Sequence, residues 1–421
     1  MNPVVIILAL SFLLGLQPVA TDLYLPALPQ MQQALQITQA DAQWTLSSIV
    51  LAFGVSQMVW GPVSDRIGRR PVLLAGLSLF VLASAGTVLA QNLGQMIALR
   101  TVQGVGLAAS VVCARAMIRD LYEPEAGARV LSKGLSGLGV IALVGPILGG
   151  FTAQHLGWRA TLAEVGLFAF AGLVFIALAL RETLPVHRRQ RGMSLGQRLS
   201  QWHEITAQPM FRAYTALTSS TYGGLYVFLA ASSFVFIQVL GVSKPVYGGI
   251  MASMSLGYLL GTVLCRARLR TMGLPDTVRL GTVLSMAAAV WLIGLSAVCG
   301  VLDWVPPAWV LMPGLWCYAI AHGVHQPCSQ AGVVASFPQQ AGAASALSGL
   351  VMSVLAFVIG ALLAAWSQQP GWAGTLYPMT LGVGLGALLT AHVGRTRVQR
   401  HGHPVVTTQI DSGITEPEGT A

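Results

Sequence analysis

Two ionisable residues, Asp22 and Arg100, interrupt long apolar segments in the first quarter of the chain. An arginine at the centre of a membrane-spanning helix costs about 2.5–3.5 kcal/mol, so Arg100 is expected to face an internal cavity or an acid. At about 1.5 Å per residue the two residues lie at similar depths, which makes Asp22 the expected partner of Arg100. A carboxyl group there is suited to accept and release a proton. The alternatives are a snorkelling Arg100 and a water-exposed Asp22 that caps its helix.

Histidine and aromatic side chains supply further chemistry in the second half of the chain. His322 and His325 are three residues apart, share a helix face and could relay protons near neutral pH, although a hydrogen-bonded packing role is favoured. Their spacing lacks the second histidine and the glutamate of a HExxH zinc motif, so no metal site is predicted. Most aromatic residues in apolar helices face lipid or pack in the core, but some could contact a ligand. The other candidate ligand-binding residues are Tyr24, Gln103, Tyr222, Tyr226, Trp316 and Tyr318.

Composition identifies the kind of protein that must position these residues. Hydrophobic residues make up 54% of the 421 residues, charged residues only 9%, and the mean hydropathy is +0.69. These values exclude a soluble globular protein, and the long apolar runs exclude an outer-membrane barrel. The net charge of +9 comes from basic clusters between apolar runs, which indicates membrane topology rather than nucleic-acid binding. The five cysteines lack metal-site spacing and are expected to pack. No cofactor is predicted.

Twelve apolar runs predict an all-α membrane protein with two halves of six transmembrane helices. We expect a first half at 1–183, a cytoplasmic linker at 184–209, a second half at 210–395 and a disordered cytoplasmic tail at 396–421. The linker contains Met193, Leu195, Leu199 and Trp202 among arginines, which suits either a helix on anionic lipid or a solvated connection. The predicted helices are 4–25, 44–64, 71–90, 95–117, 130–152, 160–180, 211–236, 247–265, 278–300, 308–327, 344–366 and 375–394.

The distribution of lysine and arginine predicts the orientation of these helices. Placing both termini in the cytoplasm of a bacterial inner-membrane protein puts nearly every basic residue on the cytoplasmic side. Only Arg100, Arg159 and Lys244 then lie elsewhere. The N-terminal segment has no positive leader or small-residue cleavage site, so we interpret it as an uncleaved first helix.

Two short motifs have the residues of conformational gates. The loop GPVSDRIGRRP combines turn-forming glycines with an acid and three arginines that could hold one conformation closed: Gly61, Asp65, Arg66, Gly68, Arg69 and Arg70. An ordinary basic turn is the simpler interpretation of the arginines alone. In LVGPILGG, Gly145, Pro146, Gly149 and Gly150 allow close helix packing and a bend.

These motifs resemble those of a known family. GPVSDRIGRRP is similar to the loop between helices two and three of major facilitator superfamily transporters, and ALRTVQGVGLAAS and LVGPILGG resemble the fourth- and fifth-helix motifs of its drug:proton antiporters. TDLYLPALPQM, RAMIRDLY, GWR, ETL and AGAASAL resemble the bicyclomycin-resistance (Bcr/CflA) branch, which includes chloramphenicol exporters. The resemblance extends to about residue 395. It implies the major facilitator fold, alternating access, proton coupling through Asp22 and Arg100, and a bend in the fifth helix that limits leak.

The function expected from the resemblance is proton-coupled efflux of small drugs such as bicyclomycin or chloramphenicol-type antibiotics. The first helix has only apolar residues and Gly15 where some family members carry a second acid, which favours neutral or zwitterionic cargo. We expect a monomer whose partners are a drug, protons and the lipid bilayer, with no nucleic acid and no enzymatic activity. The alternatives are an exporter or importer of a small metabolite and, far less favoured, an intramembrane serine protease using Ser136 of GLSG with either histidine. Glu164 is expected to have an interfacial or structural role, with proton carriage as the alternative.

Overall fold

A computed structural model describes residues 2–189 and 194–403 and contains only helices, turns and irregular segments in those ranges. Twelve long helices in the described residues each overlap one predicted segment, which confirms the predicted all-α fold. Ten of the described helices are long and apolar enough to cross a membrane. The long helices are α1 Pro3–Thr21, α2 Gln39–Ile67, α3 Arg69–Leu89, α4 Leu93–Leu121, α5 Pro124–His155, α6 Trp158–Ala179, α7 Pro209–Ser233, α8 Lys244–Leu269, α9 Leu274–Leu302, α10 Ala308–Ala335, α11 Ala341–Ser367 and α12 Tyr377–Val393.

The first helix ends earlier than the pattern of apolar residues indicates. Helix α1 stops at Thr21, and a 3-10 turn at Leu25–Ala27 and a short helix at Leu28–Ala34 follow it. Pro26 and Pro29 have no N–H to donate to an α-helical ladder, so the chain changes geometry there. Asp22 consequently lies just beyond the helix instead of inside it.

The last helix, in contrast, continues past its predicted end at residue 394. A π-helical segment at Gly394–Val398 and a final turn at Gln399–His401 extend α12 into the start of the predicted tail. Long basic side chains such as those of Arg395 and Arg397 can reach water from a helix end, so this extension can leave the apolar layer. Residues 404–421 of the predicted tail lie outside the described residues, as does Met193 of the linker.

The linker contains a helix at Leu195–Ala207, here called the linker helix. The Ser194 hydroxyl accepts the Gln197 N–H and the Gln197 side chain accepts the Ser194 N–H, which forms a capping box at its start. Ile205 of this helix is fully buried against the second half, and Trp202 is half-buried. The described linker is therefore packed on the bundle in this structure.

The halves α1–α6 and α7–α12 meet mainly along two helix pairs, α2 with α11 and α5 with α8. We call the end of the bundle that carries the α2–α3 and α8–α9 turns the basic end, and the other the opposite end. At the opposite end Lys244 Nζ donates to Gln30 Oε1 at 3.2 Å and to the Ala153 carbonyl at 3.0 Å. Gln43 Nε2 donates to the Ala230 carbonyl at 3.3 Å. Hydrogen bonds thus join the halves at the opposite end.

Candidate functional site

Arg100 on α4 holds the end of α1. Its guanidinium lies over the Tyr24 ring, 3.8 Å from the ring centroid, and Nη1 donates to the Ala20 carbonyl at 3.1 Å. Ala20 and Tyr24 lie two residues before and two residues after Asp22, so the arginine contacts the chain on both sides of the acid. The side chain is fully buried, and its Nε and Nη2 atoms have no acceptor among the described residues. Two donors of this buried guanidinium therefore remain without an acceptor among the described residues.

Asp22 follows the last residue of α1 and lies half-buried. Its backbone N–H donates to the Pro18 carbonyl at 2.7 Å, and Oδ1 accepts the Thr21 hydroxyl at 2.6 Å. The described residues contain no ion pair between Asp22 and Arg100, so the direct pairing expected from their depths is absent from this conformation. Instead of pairing with the carboxylate, Arg100 contacts the Ala20 carbonyl of α1 and the Tyr24 ring beyond the end of that helix.

Gln103 extends the Arg100 contacts across the first half. Its Oε1 accepts Arg100 Nη1 at 3.1 Å, and its Nε2 donates to Ser84 Oγ on α3 at 2.7 Å. Gln103 is fully buried and is not among the residues that line the cavity containing Asp22. In this conformation Gln103 therefore contacts Arg100 and Ser84 and lies outside the cavity lining.

The cavity that contains Asp22 lies between the halves and has a volume of about 290 Å³. Helices α1 and α5 form one wall, and α7, α8 and α10 form the other. Most of the lining is apolar, including Phe228, Met251 and Met254. A mostly apolar pocket with a few polar groups is typical of a small-molecule site. The polar side chains in the lining are Gln17, Thr21, Asp22, Tyr222, Ser255, Tyr258, His322 and Gln326.

The two histidines of α10 face different neighbours. His322 lines the cavity, with Nδ1 3.0 Å from Thr221 Oγ1. His325 is fully buried toward α9, with Nε2 3.2 Å from Ser285 Oγ. The expected shared face is therefore divided between the cavity and α9. Gln326, four residues after His322, lines the cavity with it.

The candidate aromatic residues also separate into different environments. Tyr222 lines the cavity, but Tyr24 packs on Arg100, and Tyr226 Oη lies 2.5 Å from Ser47 Oγ across the boundary between the halves. Tyr318 Oη donates to the Thr221 carbonyl at 2.5 Å, and Trp316 is 43% exposed on the outside of the bundle. Of the five candidate aromatic residues, Tyr222 is thus in the cavity lining of this conformation, and the other four are outside it.

Sequence reasoning missed part of the cavity wall contributed by α8. Met251, Met254 and Tyr258 all line the cavity. Their spacing of three and then four residues is that of a single helix face, which is the one signal that could have found them.

The glycines of α5 bring that helix against both halves. A side chain at Gly149 would overlap the Leu23 carbonyl, next to Asp22, and one at Gly150 would overlap the Lys244 carbonyl on α8. The carbonyl of Pro146 occupies the space beside Gly248 in the same way. Gly145 lies near the Leu23 side chain. The segment of α5 from Gly145 to Gly150 therefore packs against Leu23, which follows Asp22, and against α8 of the second half.

Arg69 is the centre of a buried charge network at the basic end. Its Nη1 lies 2.5 Å from Asp65 Oδ1 and donates to Ser64 Oγ at 2.7 Å, and its Nε lies 2.9 Å from Asp120 Oδ2 on α4. The Arg69 side chain is only 6% exposed. Paired opposite charges of this kind offset the cost of burial, so the network ties α2, α3 and α4 together.

Glu182 completes this network from the end of α6. Its carboxylate accepts the backbone N–H groups of Arg69 at 2.9 Å and Arg70 at 3.2 Å. Gly68 lies against this carboxylate with φ of +109°, a backbone angle that favours glycine. Arg70 Nη2 donates to the Ala177 carbonyl at 2.8 Å. Asp120 and Glu182 belong to the motifs RAMIRDLY and ETL, and neither was predicted to take part in gating.

Gly61 and Arg66, also predicted to take part in gating, line a polar pocket of about 340 Å³ at the basic end with Asp65 and Arg69. The linker helix, the first turns of α11 and the two residues before that helix line the same pocket. Gly61 has open space around its Cα, so it does not serve close packing here.

The residues considered for protease chemistry are not assembled. Ser136 Oγ donates to the Ser132 carbonyl of its own helix at 3.1 Å, and the two histidines have the partners given above. A serine–histidine pair involving Ser136 is therefore absent from the described residues.

Comparisons with known proteins agree with this architecture. A sequence profile described as Major Facilitator Superfamily matches residues 10–361. The chain is 30% identical to a chloramphenicol resistance protein of Pseudomonas aeruginosa, covering 94% of this chain and 92% of that one. It is 29% identical to multidrug resistance protein D of Escherichia coli, covering 95% and 98%, and 25% identical to a bicyclomycin resistance protein homolog of Haemophilus influenzae, covering 87% and 90%.

Solved structures show the same fold. The crystal structure of a D-xylose-proton symporter matches with a TM-score of 0.73 at 15% identity, covering 92% of this chain and 96% of that one. The human organic anion transporter MFSD10 matches with a TM-score of 0.67 at 21% identity, covering 94% and 100%. The chain therefore belongs to the major facilitator superfamily, in its bicyclomycin-resistance (Bcr/CflA) branch.

Proposed function

We propose that this chain exports small drug-like molecules across the bacterial inner membrane in exchange for protons. The observation that carries the proposal is the cavity between the halves, which contains Asp22 at the helix end held by Arg100. Both halves line this cavity, so rocking one half against the other would expose it to each side in turn. The names of the chloramphenicol, bicyclomycin and multidrug resistance relatives support drugs as the substrate class.

In the proposed cycle Asp22 carries the proton. Asp22 loses its proton when the drug binds and regains one from outside after the halves have rocked. Arg100 is a positioning residue, because it contacts Ala20 and Tyr24 on either side of the acid. Its two unused donors, Nε and Nη2, would hydrogen-bond the ionised carboxylate once the end of α1 shifts.

The walls of the cavity favour a neutral or zwitterionic drug. Asp22 is the one acidic side chain in the described lining, and it is committed to the proton in this cycle. Tyr258, His322 and Gln326 supply hydrogen-bonding groups, whereas the remaining surface is largely apolar. A compact antibiotic with several polar groups, such as a chloramphenicol-type or bicyclomycin-type compound, suits this mixture.

From its excess of arginine we infer that the basic end faces the cytoplasm, and with it both termini. The hydrogen bonds of Lys244 then join the halves on the outer side. The Arg69 network and the α5 glycines would support the two conformations of the cycle, with a single chain forming the transport unit.

Everted membrane vesicles test the proposal directly. Accumulation of chloramphenicol or bicyclomycin and drug-driven proton movement would be followed for the wild type, Asp22→Asn and Arg100→Ala. We expect Asp22→Asn to abolish drug-driven proton movement and Arg100→Ala to reduce it strongly. Glu164→Gln is the matched control, because Glu164 is a membrane-embedded acid that accepts the Thr152 hydroxyl and is not part of the cavity lining.

Wild-type proton coupling in Asp22→Asn would overturn the assigned carrier. If a small metabolite drives proton movement and neither antibiotic does, the substrate is a metabolite and the proposal of drug efflux is wrong.

A further inference from the structure

An open groove runs along the outside of the second half, between α7, α11 and α12. One section of about 320 Å³ is continuous with a section of about 650 Å³, since Ser220, Leu355 and Leu389 line both. The lining is mostly apolar, and Leu362, Leu385 and Leu389 are at least half exposed there. The groove therefore opens toward the lipid surface and not toward the cavity that contains Asp22.

Glycine residues on two helices contribute to the lining of the smaller section. Gly223 and Gly224 on α7 and Gly382 and Gly386 on α12 all line the groove. Gly386 lies directly against the backbone of Gly224. The absence of side chains at these positions lets the helices pack closely along the groove, because a Cβ at any of the four would meet a neighbouring atom.

Arginine side chains surround the groove where it reaches the basic end. Arg212 and Arg397 line the larger section and also a third pocket of about 540 Å³, which continues to Arg400 and His401. The three arginines are exposed and form no hydrogen bond or ion pair through their side chains with other described residues. A concentrated positive charge without an acidic partner thus lies at one end of an apolar channel.

We propose that this groove binds one anionic phospholipid. The phosphate lies among Arg212, Arg397 and Arg400, and an acyl chain runs along the glycine-lined channel. Basic pockets between membrane helices on the cytoplasmic side are suited to anionic headgroups. Between Arg212 and Val227, helix α7 rises about 22 Å at about 1.5 Å per residue. This length exceeds the half-thickness of about 15 Å of the bilayer hydrocarbon, so the channel can accommodate a chain of that leaflet.

The site is independent of the proposed transport function, because its residues are not among those that line the Asp22 cavity. The groove joins the start of α7, the end of α12 and Thr206 of the linker helix. A bound lipid would therefore hold these three elements together.

Native mass spectrometry of the purified full chain tests the headgroup contact. The protein would be exchanged in detergent with phosphatidylglycerol or with phosphatidylcholine of the same acyl chains. We expect preferential retention of phosphatidylglycerol by the wild type, and a loss of at least about tenfold in its affinity when Arg212, Arg397 and Arg400 are all replaced by Gln. Replacing Arg266, Arg268 and Arg270 by Gln is the matched control, since these arginines lie exposed on another face of the basic end.

A second pair of variants tests the channel without touching the charges. Leu389→Trp fills the shared section of the groove, whereas Leu388→Trp alters its exposed neighbour, which is not part of the lining. We expect Leu389→Trp to weaken phosphatidylglycerol binding and Leu388→Trp to leave it unchanged.

Three results would overturn the proposal. The first is equal retention of the two lipids by the wild type. The second is unchanged phosphatidylglycerol binding in both the triple arginine variant and Leu389→Trp. The third is displacement of phosphatidylglycerol by inorganic phosphate alone. The last result would assign the arginines to a free anion. Failure of any of these tests leaves the drug-transport assays unaffected.

Discussion

The two halves build the turn at the basic end in different ways. In the α2–α3 turn Arg69 is buried and pairs with Asp65 and Asp120. In the α8–α9 turn Arg268 and Arg270 are exposed, and within the described ranges their side chains form no ion pair. Two turns in corresponding positions, each rich in arginine, thus differ in the burial and pairing of their charge.

This difference separates two roles of arginine in a membrane protein. An exposed arginine favours the cytoplasmic side, and it needs no acid to do so. A buried arginine that pairs with acids on two other helices favours one discrete arrangement of those helices, which is the property required of a gate. We therefore expect the α2–α3 turn to control conformation and the α8–α9 turn to set topology alone.

The largest expected effect comes from removing the buried charge. Arg69→Ala leaves the largely buried Asp120 and the partly exposed Asp65 without their cation, so we expect the unfolding free energy to fall by about 3 kcal/mol. Transport should slow as well, because α2, α3 and α4 lose their common partner. Thermal unfolding in detergent and vesicle transport would measure these changes. Arg268→Ala is the matched variant of the other turn, and equal losses in both would remove the distinction between the turns.

Removing the charge of Asp120 on α4 is expected to lower stability by a smaller amount. Asp120→Asn preserves shape but removes the charge that pairs with Arg69 Nε, so we expect a loss of about 1.5–3 kcal/mol. Asp276→Asn is the control in the second half, because Asp276 is an exposed acid at the start of α9. Thermal unfolding of the two variants gives the comparison. A larger loss for Asp276→Asn would show that burial is not the deciding factor.

Backbone geometry offers a third comparison between the turns. Gly68 has φ of +109°, whereas Gly273 has φ of −69°. Gly68→Ala should cost about 1–3 kcal/mol, because an alanine is strained at this angle and its Cβ would meet the Glu182 carboxylate. Gly273→Ala should change stability by less than about 0.5 kcal/mol. Thermal unfolding of the two variants measures this difference. A Gly68→Ala variant as stable as the wild type would contradict the predicted strain at Gly68.

The smallest effect is expected from neutralising the exposed turn. Replacing Arg268 and Arg270 by Gln should alter the unfolding free energy by no more than about 0.5 kcal/mol, because neither side chain has a partner to lose among the described residues. Drug transport should continue near the wild-type rate. A large transport defect with normal unfolding would give the α8–α9 turn a conformational role after all.

The depth of a residue along its helix could be predicted from the sequence, whereas its side-chain contacts could not. Placing Asp22 and Arg100 at similar depths needed only the rise per residue, and the structure brings the neighbours of Asp22 into contact with Arg100. The absence of their direct ion pair could not be predicted, because it depends on how Tyr24 and the α1 backbone are oriented. His322 and His325 show the same limit, since their spacing indicated one face but packing directs them to different neighbours.

The amino-acid sequence by itself determined the twelve helices, their approximate ends and the family of the chain. Apolar run length, proline and glycine positions and local motifs carry that information, and each acts over a few neighbouring residues. Only the tertiary structure decided which polar groups share the cavity and that Arg69 meets Asp120, fifty-one positions away. Such contacts depend on the rotation of each helix about its axis and on its neighbours, and both are set by packing over the whole bundle.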